Sequence, residues 1–174
     1  MELDTEAQMV ASILAKKKSA GATHALIDIP VGQTAKVRTY AAADKLANIF
    51  GLVAARIGLR LETVLTDARA PIGRGIGPRL EALDVLAVLR REDDAPEDLR
   101  EKSLYLASRI LEMSGVVSTG SGYREARRVL DSGAALKKFD EIIDAQGRRE
   151  LPEAASYRHV ITSSSDGRIR DVDC

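Results

Sequence analysis

Apolar residues early in the chain recur at helical spacing and then run almost unbroken. Met9, Val10, Ile13 and Leu14 form one stripe of a helix. Thr5 and Gln8, spaced Thr-x-x-Gln, suit a capping box at its start. The helix is expected to stop near Gly21. His24-Ala25-Leu26-Ile27-Asp28-Ile29-Pro30-Val31 then reads as a mostly apolar strand, the pattern of a parallel sheet covered on both faces. Pro30 has no N–H for a ladder and so marks the strand's end or an edge.

A second helix is predicted over 40–56, with Leu46, Phe50, Val53 and Ile57 at helical spacing and Gly58 as its stop. A second strand spans 61–66, with Leu61, Val64 and Leu65 as its apolar content. The glycine loop from Pro71 to Pro78 follows. Helical patterns then cover 79–91, 97–113, 123–130 and 134–146, with Pro96 and Glu97 suiting a first turn. Beyond Leu151 the helical period ends. Residues 157–161 and 168–172 are expected to pair as a hairpin around Asp166-Gly167. The fold class is therefore α/β: parallel strands alternate with helices, the second half is helix-rich, and the tail is a β-hairpin.

Composition narrows the function classes. The 174 residues carry 26 Lys+Arg and 26 Asp+Glu, a formal charge of zero. A nucleic-acid polymer or a membrane surface needs a basic excess, so neither partner is expected. Cys174 is the single cysteine, which excludes a disulfide within the chain and suits a reducing compartment. No run approaches the roughly 20 apolar residues of a membrane span. Met1-Glu2-Leu3-Asp4 lacks the basic and apolar regions of a secretory signal. The expected location is the cytoplasm.

Three groups of residues bear on chemistry. Pro30 to Lys36 form a polar loop at the carboxyl end of the first strand, the edge where α/β sheets bind ligands. Gly32 is expected to allow close approach to a ligand, and Thr34 and Lys36 offer a hydroxyl and a positive charge. A loop lysine is equally at home in solvent. Ser12 and Lys16, four apart, share one helix face, and Asp4 lies at or before that helix's start. Asp4 suits proton transfer, and equally a dipole-favoured helix start. The loop Gly73-Arg74-Gly75-Ile76-Gly77 departs from the dinucleotide spacing G-x-G-x-x-G and is closed by Pro78, so a tight strand-to-helix connection is expected. An anion could still rest on the following helix's N-terminus. His24 and His159 have no neighbours at metal-ligand spacing, and no metal site is expected.

Taken together, these segments resemble the thymidine phosphorylase and AMP phosphorylase family. Ala11-Ser12-Ile13-Leu14-Ala15-Lys16-Lys17 is similar to its Ala-Ser-Ile-Leu-(Ala/Ser)-Lys-Lys helix. Ala25 to Gly32 with Thr34-Ala35-Lys36-Val37 resemble its next strand and loop. Pro71 to Gly77 with Leu80-Glu81-Ala82 resemble its glycine loop, and Val129-Leu130-Asp131-Ser132-Gly133 with Phe139 and Ala145-Gln146-Gly147 its later helices. The family's reaction is phosphorolysis: phosphate attacks the sugar C1′ of a nucleoside or nucleotide and the base leaves. The resemblance implies that Asp4 donates a proton to the base, Ser12 hydrogen-bonds the base and Lys36 binds the nucleotide. In the pyrimidine branch the base contacts correspond to Ser12 and Lys16. The loop Pro-Val-Gly-Gln-Thr-Ala-Lys favours the AMP phosphorylase-like branch over the Lys-Val-Gly-Ser-Gly-Ala loop of pyrimidine enzymes.

The resemblance further implies a partial nucleoside phosphorylase/phosphoribosyltransferase-type domain over 1–150, with 151–174 leading to a C-terminal domain. The family's phosphate site, its dimerising helical domain and a basic residue before the Asp4 position have no counterpart here. The expectation is a catalytically inactive fragment of a homo-oligomeric enzyme, with no cofactor and phosphate as co-substrate. A stand-alone nucleotide-binding module and a purely structural domain are the alternatives.

Overall fold

The structure, a computed structural model, describes residues 6–169 and 172. Its elements are α1 (Glu6–Ser19), β1 (His24–Val31), α2 (Tyr40–Arg56), β2 (Arg60–Asp67), α3 (Pro78–Arg90), α4 (Glu97–Met113), α5 (Gly122–Asp131) and α6 (Ala134–Ala145). Parallel strands alternating with helices, then a helix-rich second half, match the sequence pattern. Thr5 of the expected capping box lies outside the described residues.

β1 and β2 pair in parallel, from His24 opposite Arg60 to Val31 opposite Asp67. Period-two alternation sends Ala25, Ile27, Ile29 and Val31 to one face. There they join Val10 and Leu14 of α1 and Ala43, Leu46, Phe50 and Ala54 of α2 in one core. Thr39 starts α2 by accepting the Ala42 N–H at 3.2 Å, and Gly58 takes φ 65° just past its end, as the glycine stop requires.

At the two ends of the ladder, the Thr23 and Val31 carbonyls accept the Arg60 and Ala68 N–H groups at 3.0 and 2.9 Å. Odd-numbered backbone groups of β1 therefore face β2, and even-numbered ones face the strand's other edge. Pro30 falls in the even set, so its missing N–H costs the ladder nothing.

The opposite face of the sheet meets α4. Lys102 Nζ lies 2.7 Å from Asp28 Oδ2, and the Thr66 hydroxyl donates to Asp28 Oδ1 at 2.6 Å. Lys102 also donates to Thr66 Oγ1 at 3.0 Å, closing a half-buried triad across β1, β2 and α4. Arg109 pairs with Glu62 at 2.6 Å, which holds the guanidinium's pKa above its ordinary value. Glu112 Oε1 accepts the Gly120 and Gly122 N–H groups at 2.9 and 2.8 Å and so anchors the start of α5. A second, smaller core joins Val88, Leu104, Ala126 and Leu130.

The tail corrects the sequence reading. Residues 151–169 form neither helix nor strand, so the expected hairpin is absent among the described residues. Tyr157, Val160, Ile161 and Ile169 are exposed. An isolated two-stranded hairpin is marginal in water without a surface to cover, and these side chains cover none. The tail's start is held by Arg79, whose Nε–H donates to the Pro152 carbonyl at 2.7 Å. Among the described residues no helix is long and apolar enough to cross a membrane.

Candidate functional site

The loop between β1 and α2 is folded back on itself. The Gly32 N–H donates to the Val37 carbonyl and the Ala35 N–H to the Gly32 carbonyl, both at 3.1 Å. Val31 and Val37 form a parallel bridge, which places the Thr34–Lys36 turn beyond the carboxyl end of β1. A Cβ on Gly32 would stand 2.4 Å from the Ala68 carbonyl oxygen. This glycine permits a close approach to the chain that leaves β2.

A cleft of about 680 Å³ opens between this loop and α1. Glu6, Met9, Thr34, Lys36, Arg38 and Thr39 line it. Glu6 is held by Lys45 of α2, Nζ to Oε2 2.9 Å. Met9, Ser12 and Lys16 are spaced i, i+3, i+7 and so lie along one flank of α1. Ser12 and Lys16 are exposed on that flank, beyond the cleft lining. Lys36 is therefore brought to the first turns of α1, while Ser12 and Lys16 continue away from it. Asp4 lies outside the described residues, two positions before Glu6. The N-terminus of α2 contributes Thr39 and Ala42 to the same cleft, and with Lys36 and Arg38 it makes the wall favourable to a negative group.

The glycine loop serves another purpose. Asp84 Oδ2 accepts the Arg74 and Gly75 N–H groups at 2.7 and 2.8 Å. The Gly73 N–H donates to Asp98 Oδ2 at 3.1 Å, and the Gly77 N–H to Glu81 Oε1 at 2.9 Å. The chain's own carboxylates thus take up the N–H groups of the loop itself, from Gly73 to Gly75 and at Gly77. The N–H groups of Gly75 and Arg74 hold the Asp84 carboxyl below its ordinary range. A Cβ on Gly75 would lie 2.5 Å from Leu80 Cβ, so the loop is the tight strand-to-helix connection that the sequence suggested.

Sequence reasoning missed the Asp28–Thr66–Lys102 triad, whose members come from three elements. Its Thr66 and Lys102 open onto a second cleft of about 1080 Å³ at the carboxyl end of β2, beside Asp67, Arg69, Tyr105 and Tyr123. The Arg69 side chain hydrogen-bonds Asp67 and holds its carboxyl below the usual range. One signal was available: Asp28 is a lone carboxylate within an apolar strand. Among the described residues no group of three or more His, Cys, Asp or Glu can hold a metal ion.

Comparison with known proteins adds to this geometry. The chain is 50% identical over 173 residues to a protein of Ralstonia nicotianae named "Putative thymidine phosphorylase", covering 99% of this chain and 34% of the relative. A protein of the same name from Bradyrhizobium sp. is 52% identical over 178 residues, covering all of this chain and 34% of the relative. One from Hahella chejuensis is 47% identical over 173 residues, with 34% of its length covered. The chain thus spans about a third of the length of the relatives it matches. No protein-family model matches it.

Proposed function

We propose that this chain, alike over its whole length to proteins named for thymidine phosphorylase, forms the base-side half of a phosphorylase active site. The parent enzyme is a pentosyltransferase that cleaves the N-glycosidic bond of a nucleoside or nucleotide with phosphate. A phosphate oxygen forms a bond to C1′, the C1′–N bond breaks, and its electron pair leaves with the base. The products are free base and sugar 1-phosphate. Asp4 donates a proton to the departing base, Ser12 hydrogen-bonds it, and Lys36 holds the nucleotide. In a pyrimidine-type site Lys16 joins Ser12 at the base.

The observation that carries this reading is the cleft that joins Lys36 to the opening turns of α1. It sets the charged loop beside the helix that bears Ser12 and follows Asp4. Its positive wall suits the charge of a nucleotide or of phosphate. The Pro-Val-Gly-Gln-Thr-Ala-Lys loop resembles the AMP phosphorylase-like branch more than the pyrimidine branch. The working enzyme is taken to be a cytoplasmic homo-oligomer.

The test is base release from AMP and from thymidine, with phosphate, by a protein of the relatives' length that carries this chain. Release from AMP exceeding that from thymidine is expected. Release from neither contradicts the reading. The 174 residues alone should release no base, because the resemblance covers only the base side of the site and phosphate must also be held in line with the sugar.

A further inference from the structure

We propose that, in a protein of the relatives' length, a strand formed by residues ahead of the matching region pairs parallel with the open edge of β1 and fills the apolar trough beside it. Four observations meet at this edge. Among the described residues the sheet has two strands, and the even-numbered backbone groups of β1 face away from β2. At the carboxyl end that edge is occupied, since the Gly32 N–H bonds Val37. At His24, Leu26 and Asp28 no strand pairs with it among the described residues. The exposed row of N–H and C=O groups is a template for a further strand.

A trough of about 620 Å³ lies on the same side, lined by Leu26, Val88, Leu99, Leu106, Ile110 and Val129 among others. A mostly apolar trough that is open to solvent marks a surface a further segment can cover. His24 is the third sign. Its Nε2 is buried without a hydrogen-bond partner among the described residues, and alternation puts it on the face of Leu26 and Asp28. A buried polar atom of this kind calls for a partner. The fourth is length: the chain covers 34% of its relatives.

Topology selects the occupant. α1 and α2 pack on the same face of the sheet, in one core with the odd-numbered side chains of β1. α2 connects β1 to β2 and lies mainly over β2. Parallel crossovers are right-handed almost without exception. Two successive crossovers of the same hand, with helices on the same face, advance in the same direction. A strand that enters through α1 must therefore lie on the side of β1 opposite β2, beside the open edge and the trough. This inference does not depend on the reaction proposed above.

The test is amide hydrogen exchange in this chain, with and without a synthetic peptide. Its sequence is that of the residues just ahead of the matching region in the 52%-identical relative. Exchange at Leu26 and Asp28 should slow at least tenfold, with the β1–β2 ladder amides unchanged. Ile110→Glu, which puts a charge in the trough at a side chain already 37% exposed, should abolish the slowing. No slowing with this peptide overturns the proposal. So does slowing by a peptide taken from after the matching region, or slowing that rises with the chain's own concentration, which would indicate a second copy. In the whole relative, the amides equivalent to Leu26 and Asp28 should be protected, and free exchange there also overturns it.

Discussion

The α/β half and the helical half are packed differently, although both are built from amphipathic elements. Around β1, α1 and α2, eleven buried residues form one core, with Phe50 1% exposed at its centre. The second core joins only four, and α6 contributes no buried residue. The first half closes over the odd-numbered face of β1, because α1 and α2 cover it. The second borders a trough, because its helices surround a space that nothing described here fills. The contrast teaches where the site's rigidity comes from. Lys36 hangs from the well-packed half, whose loop is pinned by backbone bonds at 3.1 Å.

The largest test of that contrast is truncation in each core. Phe50→Ala should lower the unfolding free energy by about 3–5 kcal/mol in urea titration. Leu104→Ala should cost about 2 kcal/mol, the low end for a buried leucine, because its surroundings already border empty space. Equal losses would remove the distinction. Gly32→Ala comes next, at about 1–3 kcal/mol, since its Cβ meets the Ala68 backbone and not a movable side chain. An unchanged denaturation midpoint would show that the strand ends can part.

Lys102→Met probes the tie between the halves. It keeps the aliphatic stem and leaves Asp28 with Thr66 alone, for a loss of about 1–2 kcal/mol. The smallest effect is local. Asp84→Ala should speed hydrogen exchange at Arg74 and Gly75 and leave the first core's amides unchanged. The pH dependence has a definite sign. Asp84 titrates below its ordinary 3.8, so its hold on the loop is complete above that pH. It is lost as the pH falls through the lower folded value, and loop amides that open well above pH 4 would contradict this.

Much of the fold was legible because it follows from local rules. The apolar run at His24–Val31 and the spacing in 40–56 marked out two elements, and Gly58 ended the helix as a glycine past a helix end does. The site was legible only in part. Lys36 at the carboxyl end of a strand could be read from a general rule of α/β sheets. Its meeting with Glu6 and Met9 depended on how α1 packs. Asp84 reaches back to the glycine loop, and Asp28 bonds Thr66 from 38 residues away, so neither contact leaves a local pattern. The tail failed for the opposite reason. Its alternation and Asp-Gly turn suit a hairpin, but a hairpin needs a surface to cover and the described tail has none.

The central claim is that Lys36 faces the ligand. It is tested most directly by the kinetics of Lys36→Ala in a protein of the relatives' length, with AMP and phosphate. Loss of one charge-assisted contact, about 1.5–3 kcal/mol, should lower kcat/KM roughly tenfold or more. Unchanged kcat/KM would take Lys36 out of the site and contradict the account.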